Sequence, residues 1–161
     1  MLYNSLISPH FNYADIIWGG CNEKESQMLQ KVQNFAAKSI DGKRKYDSAS
    51  AALKKSKLLN LKTRRQIHET VFVHKAIIGK NAENICKIFN KYKPTVSTRR
   101  AMSHKLNIPK HTFSKFKRSP LHRSIKSWNN TSDNFPMDNV KTRKNLLQKQ
   151  LITLNYGITT D

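Results

Sequence analysis

The sequence has 161 residues, enough for one domain of ordinary size, and its 30 Lys+Arg against 10 Asp+Glu give a formal net charge of +20. Hydrophobic residues at 37% supply a lean but workable core, and charged residues at 25% are ordinary in amount, so the imbalance lies in sign and points to a polyanion: nucleic acid first, an anionic membrane surface second. No apolar run reaches the ~18–20 residues of a membrane span, the opening lacks a secretory pattern, and two cysteines with five Gly and five Pro exclude disulfide frameworks and collagen-like chains.

An intracellular setting, nuclear or cytoplasmic, is therefore expected. Taken in order, Leu2–Ile7 reads as the end of a helix that Pro9 interrupts or kinks. Asn22-Glu23-Lys24-Glu25 has the form of a capping box. It opens a helix whose Met28, Leu29, Val32, Phe35, Ala36 and Ile40 recur at helical spacing, with Gly42 as its C-terminal stop. Asp47 or Ser48 caps a short helix through Leu53, and Asn60 starts another with Ile67, Val71, His74 and Ile78 as its apolar stripe, ended by Gly79. Asn84–Phe89 offers a further short helix. From Lys91 to Lys117 no helical period is visible, and Lys105–Ile108 alternates as a short strand or an extended arm does. Ser119-Pro120 is an N-cap and N1 pair for a helix lined by Leu121, Ile125 and Trp128. Asp138 is placed to cap a last helix, with Val140, Lys144, Leu147, Leu151 and Leu154 as its stripe and Lys144 laying its stem along the core edge. The sum is a mainly α chain, a small bundle of about five to six helices with an extended basic segment and one short strand or arm.

The charge is not spread evenly. Residues 84–132 hold 12 Lys+Arg and no carboxylate. Arg99, Arg100, Lys105, Lys110, Lys115, Lys117, Arg118, Arg123 and Lys126 recur there, interleaved with Phe113, Phe116 and Trp128. This is the mix expected of a surface that tracks phosphates and offers rings to bases. The rings serve equally well as anchors tying an irregular segment to a core. For the cations, the lack of any acid in the segment leaves solvent or an external anion as partner.

Other chemistry is poorly supported. Gly19-Gly20 lacks the Lys-Ser/Thr of a phosphate loop, and Cys21, His68, His74 and Cys86 match no paired zinc-ligand spacing. No catalytic triad or nucleophile elbow is visible. Tyr13-Ala14-Asp15 suggests the aromatic-x-Asp-Asp signature of a polymerase, but Ile16 and Ile17 follow, and two-metal phosphoryl transfer needs convergent acids.

The stretch Leu2-Tyr3-Asn4-Ser5-Leu6-Ile7-Ser8-Pro9-His10-Phe11-Asn12-Tyr13-Ala14-Asp15-Ile16-Ile17-Trp18-Gly19 resembles the segment that follows the palm in reverse transcriptases of jockey-like non-LTR retrotransposons. Leu29-Gln30-Lys31-Val32-Gln33-Asn34-Phe35-Ala36-Ala37 is similar to that family's Gln-rich helix, with Phe35 where Arg is common. Ala52-Leu53 through Leu58, Leu61 and Arg64-Arg65, then Thr98-Arg99-Arg100, then Lys117-Arg118-Ser119 with Trp128-Asn129, resemble its later features in the same order. The sequence departs from the family at Pro120-Leu121-His122, where an aromatic-rich strand is usual, and at Asn129-Asn130-Thr131, which lacks the usual Ser-Leu-Pro.

The resemblance implies a thumb-like helical domain over 1–90, a basic extended linker or arm over 91–118 and a C-terminal helical pair over 119–161. It also implies a fragment of an RNA-directed DNA polymerase without its catalytic palm, not an enzyme by itself. Such a part needs no cofactor, whereas the parent polymerase family uses Mg²⁺. Its expected partner is RNA or an RNA–DNA hybrid held by the backbone, with no membrane and no small-molecule substrate. The residues expected to hold it are Arg64, Arg65, Arg99, Arg100, Lys105, Lys110, Lys115, Lys117, Arg118, Arg123 and Lys126. The alternative is a non-catalytic helical interaction module, or a retroelement remnant with no ligand.

Overall fold

The computed structural model describes residues 3–95, 104–110, 113–131 and 139–156, which are mainly helical and contain no strand. A π-helical stretch Tyr3–Ile7 leads into α1 (Ser8–Asn12) and is followed by α2 (Asp15–Trp18), α3 (Glu23–Ile40), α4 (Ala49–Lys55), α5 (Leu61–Ile77) and α6 (Glu83–Asn90). A 3₁₀ turn at Ser114–Arg118 precedes α7 (Pro120–Thr131) and α8 (Val140–Tyr156). The chain divides into two compact units, Met1–Arg65 with Gln148–Asp161, and Gln66–Leu147. The division falls inside α5, so that helix carries residues of both units.

In the first unit the local signals act as their chemistry dictates. Asn22 accepts from the Glu25 amide at 2.9 Å while the Glu25 carboxylate accepts from the Asn22 amide at 2.8 Å, a complete capping box on α3. At its other end Gly42 takes the left-handed conformation (φ 65°), and Lys43 N–H returns to the Lys38 carbonyl at 2.9 Å. Ser48, not Asp47, caps α4 through the Ala51 amide, and Asp47 instead accepts from the Arg44 amide at 2.7 Å. Pro9 lies in the first turn of α1, and the helix continues through it by widening to a π turn over Tyr3–Ile7, which accommodates the missing proline N–H.

The buried side of α3 differs from the expected stripe. Gln33, Ala36 and Ala37 are buried, whereas Met28, Val32, Phe35 and Ile40 are exposed. Gln33 is fully enclosed, donating to the Tyr3 hydroxyl and to the Leu59 carbonyl, each at 3.0 Å. Gln30 donates to Gln33 and Asn34 at 2.9 and 2.8 Å and accepts from the Leu61 amide at 2.9 Å, so it also caps α5 beside Asn60, which accepts from Thr63 N–H at 2.7 Å. Fully satisfied polar groups can replace an apolar seam, and here they select the glutamine face. Of the opening apolar residues, Phe11 is buried, Ile16 and Trp18 are half-buried, and Leu6 and Ile17 are exposed.

In the second unit Val73, Ala76, Phe89, Leu106, Ile125 and Trp128 form one buried cluster, joined by Phe72, Ile77, Ile85, Tyr92 and Leu121. α5 ends at Gly79 (φ 75°), with Lys80 N–H on the Lys75 carbonyl at 2.8 Å. Its buried residues, among them Leu61, Thr63, Arg65, Ile67, Glu69, Thr70, Val73, His74 and Ala76, exceed the single stripe that the spacing implied. Ser119 caps α7, with His122 N–H on its hydroxyl at 3.3 Å. In α8 Leu147 of the expected stripe is buried and Val140 and Lys144 are half-buried, and Arg143, which lies outside that stripe, is buried beside them. Asp138 lies outside the described residues, as do the side chains of Leu151 and Leu154, and the cap seen on α8 is Asn139, which accepts from Lys141 N–H at 2.9 Å.

Lys57 occupies the same left-handed position after α4 that glycine holds after α3 and α5, with φ 51° and Leu58 N–H on the Leu53 carbonyl at 2.9 Å. A side chain there costs roughly 1 kcal/mol, partly offset by the unfolded-state freedom of glycine. Lys57→Gly is expected to raise stability by about 0.5–1 kcal/mol and Tm by about 1–4 °C in thermal unfolding, whereas a lowered Tm contradicts this C-cap.

Candidate nucleic-acid interface

The basic segment is held to the core of the second unit by a small set of polar contacts. Trp128 is fully buried, and its indole N–H donates to the His104 carbonyl at 2.8 Å. Asn129, the next residue, accepts from the Leu106 amide at 2.9 Å and donates to the Leu106 carbonyl at 2.8 Å. Asn107 N–H donates to the Tyr92 carbonyl at 2.7 Å. The alternation at Lys105–Ile108 therefore produces an irregular arm, not a strand. Its backbone groups pair with side chains and a turn carbonyl, so no partner strand is needed.

Two buried charges complete this support. The Arg143 guanidinium lies 4.1 Å from the Trp128 ring centroid, and the His74 ring lies 5.9 Å from it. Burial lowers the Arg143 pKa to about 10, which leaves the group charged at neutral pH. Glu69 on α5 is also buried, accepting from Ser127 Oγ at 2.7 Å and pairing with Arg123 at 3.3 Å.

These contacts sort the candidate residues. Lys110, Lys115, Lys117, Arg118 and Lys126 are exposed, so their charges face solvent. Arg123 is half-buried against Glu69: the segment itself lacks acids, but α5 supplies one, so Arg123 is a structural cation. Lys105 is half-buried beside the clamped Leu106. Arg99 and Arg100 lie outside the described residues. In the first unit Arg65 is buried: Nη2 donates to Ser26 Oγ at 2.6 Å, Nε to the Leu61 carbonyl at 3.2 Å and Nη1 to Cys21 Sγ at 3.4 Å, while the guanidinium lies 5.4 Å from the Trp18 centroid. Half-buried Arg64 donates to Ser8 Oγ. Both are occupied in holding α1, α2 and the start of α3 to α5.

The rings also separate. Trp128 is an anchor, Phe116 is half-buried edge-on to His122 at 6.2 Å, and Phe113 is 76% exposed, leaving it as the ring of the three open to a base. The residues missed by sequence reasoning are Glu69 and Arg143. A lone acid on a helix and a basic residue beside an apolar stripe gave no signal of burial, since each acquires its role only from tertiary partners. Asp15 is buried at the start of α2, and among the described residues no group of three or more His, Cys, Asp and Glu side chains comes together. Also among the described residues, no helix is long and apolar enough to cross a membrane.

No protein-family model matches the chain, and no curated protein or solved structure matches it either.

Removing the Asn129 amide leaves both Leu106 backbone groups without these partners, a loss of about 2 kcal/mol for buried polar groups. Asn129→Ala is therefore expected to lower urea stability by about that amount and to accelerate tryptic cleavage after Lys105 and Lys110. Unaltered stability and cleavage would show that the clamp does not hold the arm.

Proposed function

We propose that the chain binds RNA or an RNA–DNA hybrid by its phosphate backbone, without sequence preference, as the helical post-palm part of a jockey-like non-LTR reverse transcriptase. The observation that carries this reading is that five of the expected contact residues, Lys110, Lys115, Lys117, Arg118 and Lys126, are exposed in a segment of 49 residues without a carboxylate. Anchoring by Trp128 and Asn129 presents part of the segment from a packed base, so less ordering entropy is lost on binding than from a free tail. Cations spaced along an irregular arm and one helix suit a backbone, since phosphates recur whatever the bases. The family assignment rests on the ordered sequence resemblance alone.

The reading assigns the chain no polymerase chemistry of its own. No two carboxylates are adjacent in the sequence, and in-line phosphoryl transfer needs convergent acids on its metals. Mg²⁺ belongs to the parent polymerase in this account.

Fluorescence anisotropy with an RNA–DNA hybrid hairpin between about 50 and 200 mM salt tests it. Affinity is expected to fall steeply with salt, and changing Lys110, Lys115, Lys117, Arg118 and Lys126 together to Ala is expected to reduce the log–log slope by about 3–5 while helix content by circular dichroism stays the same. A salt-independent affinity, or an unaltered slope in the variant, contradicts backbone binding by this surface. Absence of any retention supports the ligand-free interaction module instead.

A further inference from the structure

The first unit contains a second concentration of positive charge that lies outside the acid-free segment. A cleft of about 580 Å³ opens between the second half of α3 and the loop to α4, lined among others by Lys31, Phe35, Lys38, Lys43, Arg44 and Lys45. Its volume is within the roughly 300–1,000 Å³ typical of small-ligand sites. Five cations line it, and the neighbouring acids are already engaged: Asp41 by Lys43 at 3.0 Å and by Lys55, and Asp47 by the Arg44 amide at 2.7 Å. Those lysines hold the Asp41 carboxyl below its ordinary pKa, so it remains ionised and committed to them at neutral pH.

The rim is built before any ligand arrives. Lys38 Nζ donates to the Lys45 carbonyl at 2.8 Å, Lys43 N–H to the Lys38 carbonyl at 2.9 Å, and Asp47 N–H to the Arg44 carbonyl at 3.1 Å. Lys31 and the Arg44 and Lys45 side chains have no carboxylate within ion-pair distance among the described residues. Phe35 is 71% exposed in this charged setting, and Tyr46 beside the rim is 92% exposed, with Lys45 Nζ 5.9 Å from its ring centroid. The glutamine face of α3 packs inward, and that turn of the helix places Phe35 in solvent.

Cations around an exposed ring form the chemistry that recognises a nucleotide of a single strand: phosphates on the lysines and arginine, an unstacked base on the ring. A duplex offers no free base face to such a ring. We infer that the α3–α4 cleft is a single-strand RNA site in which a base stacks on Phe35 and the adjoining phosphates pair with Lys31, Arg44 and Lys45. This site is separate from the acid-free segment and stands or falls independently of it.

The test uses the full chain and a decamer of uridine carrying one 5-iodouridine. Photo-crosslinking followed by peptide mapping is expected to label residues 31–49, and Phe35→Ala is expected to weaken decamer binding about tenfold with an unaltered salt slope, since stacking carries no counterion release. Arg44→Ala with Lys45→Ala is expected to lower the slope by about 1.4. Phe35→Leu, which keeps an apolar side chain without a π face, checks folding and is expected to bind as Phe35→Ala does. Changing Lys115, Lys117 and Arg118 to Ala is expected to leave the crosslink within 31–49, so failure of the other surface is read separately. Crosslinks confined to residues outside 31–49, or unaltered affinity in Phe35→Ala, overturn the site. Competition by uridine monophosphate or a polyglutamate peptide as strong as by the decamer also overturns it, as does a change of oligomeric state in Phe35→Ala with decamer binding intact.

Discussion

The second unit depends on the burial of one indole. Trp128 brings the largest apolar surface of its core cluster, and its N–H needs a partner once water is excluded. The His104 carbonyl meets that need, which fixes one end of the arm, and Asn129 beside it fixes Leu106 two residues later. Leu106 then enters the core itself. A chain segment rich in charge is thus ordered by its few apolar and amide groups, while the lysines are left at the surface. The Arg143 guanidinium over the same ring shows the cost of this arrangement, a cation held where burial disfavours its charge and the ring face offsets part of the loss.

The first unit depends on a different device, a buried amide network. Gln33 and Gln30 tie the opening helix, the Leu59 carbonyl and the N-terminus of α5 to one face of α3. Because every one of these groups is hydrogen-bonded, the polar face can be the inner one. The apolar positions Met28, Val32 and Phe35 are then turned outward, and the cationic cleft around Phe35 follows from that rotation. The same residues Gln30, Gln33 and Asn34 belong to the Gln-rich stretch on which the family resemblance partly rests, and their structural role explains why amides, not leucines, occupy those positions.

Much of the fold was legible because its signals are local. Asn22 with Glu25, Ser48, Asn60, Ser119 and the glycines 42 and 79 act within three or four residues of themselves, so short-range rules locate the helix ends. The 3₁₀ turn at Ser114–Arg118 was not legible, having too few residues to show a period. The inner face of α3 and the burial of Arg143 on α8 were not legible, because a hydrophobic period assumes that polar residues face water. Gln33 and Arg143 break that assumption through partners 26 or more residues away in one case and the Trp128 ring in the other. At the candidate site, composition located the charged segment but could not separate exposed Lys115, Lys117 and Arg118 from Arg123, whose acid comes from α5, or from Arg65, whose donors are spent on Ser26, Cys21 and Leu61.

The arm around Leu106 is a packed part of the second unit and therefore a fixed mount for its neighbouring cations. Amide and indole hydrogen exchange followed by NMR on the unmodified chain tests this most directly. The Trp128 indole N–H and the Leu106 and Asn107 amides are expected to exchange as slowly as amides in the middle of α7. Exchange of those three protons at the rate of an unstructured chain, with α7 still protected, contradicts it.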